Sequence, residues 1–173
     1  MEKSYKEILP NIKTFIFDVD GVLTDGLVTI TSNGELIRTM HTKDGYALKT
    51  AVLAGFNVCI ISGGTNEGVR MRLKGLGITD IYLGVHDKLE LLYEYIDMYS
   101  LKSDQILFMG DDLPDYPVMK KVGLPCCPKD AVQEIQQISS YVSQKKGGKG
   151  CVRDVIEQVL KVQGKWNGNY DAN

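Results

Sequence analysis

Apolar positions in this chain follow two spacings that alternate along its length. Short unbroken apolar runs occur at "TFIFDV", "FNVCII", "DIYLG" and "QILFMG", with a weaker one at "GLPCC". Runs of this length, rich in β-branched and aromatic residues, predict strands buried on both faces. Helical spacing fills the gaps. Ala47, Leu48, Ala51 and Val52 share one face of "DGYALKTAVLAG", which ends at a capping glycine, Gly55. "NEGVRMRLKGLG" opens on an N-cap asparagine, Asn66. "HDKLELLYEYIDMYS" aligns Leu89, Leu92, Tyr93 and Ile96. "LPDYPVMKKVG" is short and carries two prolines, and "DAVQEIQQIS" and "CVRDVIEQVLKVQG" complete the helical set. Strands alternating with helices predict an α/β, Rossmann-like parallel sheet with helices on both faces. One segment departs from this rhythm. Asn33-Gly34 lies between two β-prone arms and predicts a hairpin over about residues 27–41, projecting beyond the first strand.

The chain has 173 residues, 43% of them hydrophobic and 24% charged, with a formal net charge of −2. This balance fits one domain spanning residues 1–173 and gives no sign of a nucleic-acid or membrane partner. The N-terminus lacks the basic start and apolar stretch of a signal peptide, so a cytoplasmic location is expected. The four cysteines, Cys59, Cys126, Cys127 and Cys151, form no CxxC pair and read as buried thiols in a reducing compartment. The polar tail, residues 165–173, is expected to fray.

The first apolar run ends in acid, at Asp18 and Asp20. In a parallel sheet, ligands bind beyond the carboxyl ends of the strands. The second run ends in Ser62-Gly63-Gly64 and the fourth in Asp111-Asp112, with Asp115 close behind. Lys88 opens a helix. Several carboxylates in a small space need a counter-charge, and a hard cation such as Mg²⁺ with oxygen ligands and a phosphate supplies one. Asp18 could then serve as a phosphoryl acceptor and Asp20 as the acid for the leaving group. Ser62, Gly63 and Lys88 could hold the phosphoryl oxygens. Plainer roles compete: Asp25 and Asp115 suit turns or caps equally well, His41 and His86 read as structural, and Lys145, Lys146 and Lys149 suit a solvated loop.

"DVDGVLTDG", "ISGG", "DK" at Asp87-Lys88 and "GDDLPD" together resemble the four motifs of the haloacid dehalogenase phosphatases, in the family's order. "TDG" before a hairpin, "KDGYALK", "GDDLPDYPVMKKVGLP" and "GGKGCVRDVIEQVLKVQGKW" resemble its small, capless branch. The resemblance implies a Mg²⁺-dependent phosphomonoesterase acting on 3-deoxy-D-manno-octulosonate 8-phosphate, in lipopolysaccharide sugar biosynthesis. It implies Asp18 as nucleophile and metal ligand, and Asp20 as general acid and as metal ligand through its carbonyl. It further implies Asp111 and Asp112 at the metal, Ser62 at the phosphoryl group, and Arg72 and Lys149 at the sugar acid. It also implies a homotetramer in which neighbouring subunits help close each site. The eight-carbon enzymes carry Thr-Gly-Arg where this chain has Ser62-Gly63-Gly64, and the related nine-carbon enzymes carry an acid at the third position. Basic Lys149 in "GGKG" resembles the basic residue of the eight-carbon group, and this resemblance favours the eight-carbon substrate over the nine-carbon one. A receiver-like phosphoacceptor module is the competing class, but it has no use for Asp20 as a leaving-group acid.

Overall fold

In a computed structural model, residues 4–166 are described. Six strands form one parallel sheet: β1 (Thr14–Phe17), β4 (Asn57–Ile61), β5 (Asp80–Tyr82), β6 (Ile106–Met109), β7 (Leu124–Cys127) and β8 (Tyr141–Val142). Their spatial order is β5-β4-β1-β6-β7-β8, with β1 at the centre between β4 and β6. Alternation along β1 divides the core. Phe15 and Phe17 face one side with α2 (Thr42–Leu53), α3 (Glu67–Gly75) and α7 (Cys151–Val162). Ile16 faces the other with α4 (Lys88–Tyr99), α5 (Tyr116–Met119) and α6 (Gln133–Ile138). A short helix, α1 (Tyr5–Ile8), precedes the sheet. The apolar runs are therefore unbroken because both faces are covered.

The cap signals act as expected. Asn66 accepts a hydrogen bond from the Val69 amide, and Gly55 follows α2 with a positive φ of 85°. Asp87 accepts from the amides of Leu89 and Glu90, so it caps α4 and presents Lys88 at the helix start. All four cysteines are free and buried.

The hairpin is present but short. β2 (Thr29–Ile30) and β3 (Leu36–Ile37) pair antiparallel, Thr29 opposite Ile37 and Ile30 opposite Leu36. Its connection runs over Thr31–Glu35, where the Thr31 amide donates to the Glu35 carbonyl and Gly34 takes a φ of 84°. Of the polar tail, Trp166 packs edge-on to Tyr46 at 6.0 Å; residues 167–173 lie outside the described residues.

Candidate active site

β1 delivers Asp18 to the carboxyl edge of the sheet. Its amide donates to the Met109 carbonyl of β6, and its Oδ1 accepts from the Val19 amide at 2.7 Å. The chain then turns tightly through Val19–Leu23. Buried Thr24 knits this turn, its hydroxyl accepting from the amides of Gly21 and Gly26. Gly21 has a φ of 84°, and a Cβ there would overlap the carboxylate of Asp111. The turn thus needs glycine for its backbone and for the close approach of the second acid.

The neighbouring strand ends supply the rest. After β6, Asp111 donates its amide to Asp115 Oδ2 at 3.0 Å. A short turn over Leu113–Asp115 swings Asp115 inward, where it is 1% exposed. Carboxylate oxygens of Asp18, Asp111 and Asp115 lie within 4.8 Å of one another. Lys88 reaches this group from α4, with Nζ 2.7 Å from Asp115 Oδ1 and 3.1 Å from Asp18 Oδ2. Asp112 sits at the rim of the same pocket: it is exposed and caps the following turn by accepting from the Leu113 amide. The third converging carboxylate is Asp115, a residue whose spacing suited a turn equally well.

Charge in this cluster is unbalanced. Burial, with the nearby Asp115 carboxylate, pushes Asp18 up to about 7 against the opposing pull of Lys88. Burial, with Asp18, Asp115 and Asp112, pushes Asp111 up to about 8. Burial works against the charged form of Lys88, yet the attraction of Asp18 and Asp115 outweighs it and raises its pKa. Three converging hard oxygen donors, with the ionisation of Asp18 and Asp111 suppressed by burial and neighbouring carboxylates, are a fitting cradle for a divalent cation.

These residues border a cavity of about 430 Å³, also lined by Asp20, Ser62, Gly63, Gly64 and His86. Ser62 is buried, and its hydroxyl accepts from the Gly64 amide at 3.2 Å. His41 is elsewhere, capping α2 through Nδ1. Arg72 lies on the exposed side of α3 and lines a different groove, against the hairpin. Lys149 is also apart, in a basic cavity beside α7, with Nζ 3.7 Å from Asp25. The sequence reading missed Arg38. It leaves the hairpin just after β3 and grips Asp20 with Nε–Oδ1 at 2.7 Å and Nη2–Oδ2 at 3.0 Å. Its only signal in the sequence was a basic residue at the end of an apolar hairpin arm.

A family profile described as haloacid dehalogenase-like hydrolase matches residues 65–156. A curated relative, the 3-deoxy-D-manno-octulosonate 8-phosphate phosphatase of Escherichia coli, is 38% identical over 155 residues, covering 90% of this chain and 82% of that protein. The chain belongs to the haloacid dehalogenase-like hydrolases. Among solved structures, this haloacid dehalogenase-like hydrolase is similar to the 3-deoxy-D-manno-octulosonate 8-phosphate phosphatase of Yersinia pestis. The TM-score is 0.93 at 34% identity, covering 97% of this chain and 91% of that one. It is likewise similar to the corresponding phosphatase of Moraxella catarrhalis, solved with magnesium, phosphate and KDO. There the TM-score is 0.90 at 32% identity, covering 93% and 92% of the two chains.

Proposed function

We infer that this chain is a Mg²⁺-dependent phosphatase that converts 3-deoxy-D-manno-octulosonate 8-phosphate to the free sugar acid and phosphate. The observation that carries the reading is the buried cluster of Asp18, Asp111 and Asp115 around Lys88, beside Ser62. The likeness to phosphatases of that substrate, one of them solved with magnesium, phosphate and KDO, supplies the substrate and the metal.

Asp18 and Asp111 would hold Mg²⁺, with Asp115 in the same carboxylate group. When bound, it offsets the carboxylate charge and that of the phosphoryl oxygens. The protein's own residues do the rest. An ionised Asp18 oxygen attacks phosphorus, and the bond to the sugar oxygen breaks. Asp20 gives that oxygen its proton. An aspartyl-phosphate is left on Asp18. Water then attacks phosphorus, Asp20 takes its proton, and phosphate leaves with Asp18 restored. Ser62 and Gly63 hold the phosphoryl oxygens, and Lys88 steadies the nucleophile. Asp112 supports this group from the rim.

A single chain presents Arg72 and Lys149 on cavities other than the carboxylate pocket. We assign them to the sugar acid of a substrate bound in a neighbouring subunit of a homotetramer. A cytoplasmic location fits the four free, buried thiols. No helix among the described residues is long and apolar enough to cross a membrane.

The decisive experiment offers 3-deoxy-D-manno-octulosonate 8-phosphate to the purified protein with and without Mg²⁺. Stoichiometric phosphate release that stops on chelation is expected. Turnover unaffected by chelation, or none on this substrate while other phosphate esters are cleaved, would overturn the assignment.

A further inference from the structure

Asp20 stands between two cavities. Its carboxylate lines the pocket with Asp18 and Ser62, while Arg38 behind it lines the groove between the hairpin and α3. The exposures match this order: the Asp20 side chain is 38% exposed and that of Arg38 only 9%. Arg38 meets both carboxylate oxygens in a planar, two-point fork. Such a fork fixes the plane of the carboxylate. The guanidinium is itself anchored. Its Nη1 donates to the Leu36 carbonyl at 3.3 Å, and the same carbonyl accepts from Asn66 Nδ2 at 2.9 Å. Asn66 is the N-cap of α3. A chain of contacts therefore runs from α3, through the hairpin backbone and Arg38, to Asp20. Gly64 closes the other side. A Cβ there would lie 3.4 Å from both Arg38 Nη2 and Asp20 Oδ2, so the fork packs directly against the Gly64 backbone.

We propose that Arg38 is the positioning residue for proton transfer, holding Asp20 from behind so that its exposed edge meets the leaving oxygen. The hairpin then serves the chemistry as well as the molecular surface: its seat on α3 sets the aim of Asp20. This rests on the phosphatase reading and on Asp20 as its acid.

The test exploits leaving-group chemistry. An alkoxide must be protonated as it departs, whereas p-nitrophenolate leaves without help. A series of aryl and alkyl phosphates lacking the sugar acid removes substrate recognition from the comparison. kcat/KM, which reports the steps through leaving-group departure, is measured for each ester with the Mg²⁺-loaded enzyme. Arg38→Ala is expected to lower it about 10–100-fold for alkyl esters and less than about threefold for p-nitrophenyl phosphate. The dependence on leaving-group basicity would steepen accordingly. Asn66→Asp keeps the helix cap but loses the donor to Leu36, and it should steepen the dependence in the same direction by less. It also serves if Arg38→Ala does not fold. Equal losses across the series, or an unchanged slope in both variants, would overturn the proposal. A wild-type enzyme that cleaves neither these esters nor 3-deoxy-D-manno-octulosonate 8-phosphate would instead defeat the phosphatase reading, before any variant is made.

Discussion

Three carboxylates and one ammonium share the floor of the pocket, and their charges do not cancel. Asp18 and Asp111 are raised from 3.8 to about 7 and about 8, so the metal-free fold holds protons that the unfolded chain has released. Their contribution to stability is complete below about pH 4 and is lost as pH rises through about 7 to 8. Mg²⁺ must displace the same protons, so its affinity should climb over that window. Thermal melts across pH, with and without Mg²⁺, check this: the Mg²⁺-induced rise in Tm should grow toward pH 8. A rise of equal size at pH 5 and pH 8 would mean that these acids are not the ligands. Substitution separates the two working aspartates. Asp18→Asn should abolish turnover with the fold kept, while Asp20→Asn should cost about 10²–10⁴-fold. Substantial hydrolysis by clean Asp18→Asn would refute its role as nucleophile. Asp18, Asp20, Asp111, Ser62 and Lys88 stood out in the sequence because each occupies a strand end or helix start facing one edge. The sequence favoured Asp112 over Asp115 at the metal, since only the turn over Leu113–Asp115 shows that Asp115 is the one buried against Asp18 and Asp111. Arg38 was hidden because a residue eighteen positions away reaches Asp20 only once the hairpin folds back.

At the scale of elements, the strands were legible because burial on both faces leaves an unbroken apolar signature, and the helices because their caps were explicit. β8 was not, since two half-buried residues, Tyr141 and Val142, carry no periodicity. The loop "GGKG" shows a similar gap between pattern and role. Its lysine drew attention, yet its glycines touch the catalytic turn. A Cβ on Gly147 would collide with the Gly21 carbonyl and come within 3.0 Å of the Thr24 carbonyl, and the Gly148 amide donates to the Val22 carbonyl at 2.9 Å. The loop therefore supports the backbone that carries Asp20 into the pocket. Gly147→Ala should displace that turn, lowering kcat at least about tenfold and costing about 1–3 kcal/mol of stability. Urea unfolding and steady-state kinetics on the same preparation would show both losses. Unaltered kinetics would mean that the loop does not set the position of Asp20.

For the whole molecule, the hairpin presents an uncovered apolar surface. Leu27 is 72% exposed, Ile30 70% and Ile37 50%, with Val28 and Leu36 also exposed. A two-stranded ribbon with two paired residues per strand cannot cover its own apolar side chains. Covering each large one is worth about 1.5–3 kcal/mol, enough in combination to hold subunits together. Assembly was legible in the sequence only as surplus hydrophobicity around Asn33-Gly34. A single chain leaves that surplus facing solvent and leaves Arg72 and Lys149 away from the carboxylates. Both facts have one resolution if a neighbouring subunit packs on the hairpin and brings its basic residues to the pocket mouth. Ile30→Glu places a charge where packing is expected while leaving the sheet and the carboxylate cluster untouched. It should shift the proposed tetramer to smaller species in sedimentation velocity. It should also lower kcat/KM for the sugar acid phosphate more than for p-nitrophenyl phosphate, because the small ester needs no contact beyond its phosphate. Arg72→Ala and Lys149→Ala should give the same substrate bias with the proposed assembly intact. Light scattering that found a fully active wild-type monomer would refute the assembly and, with it, the role given to Arg72 and Lys149.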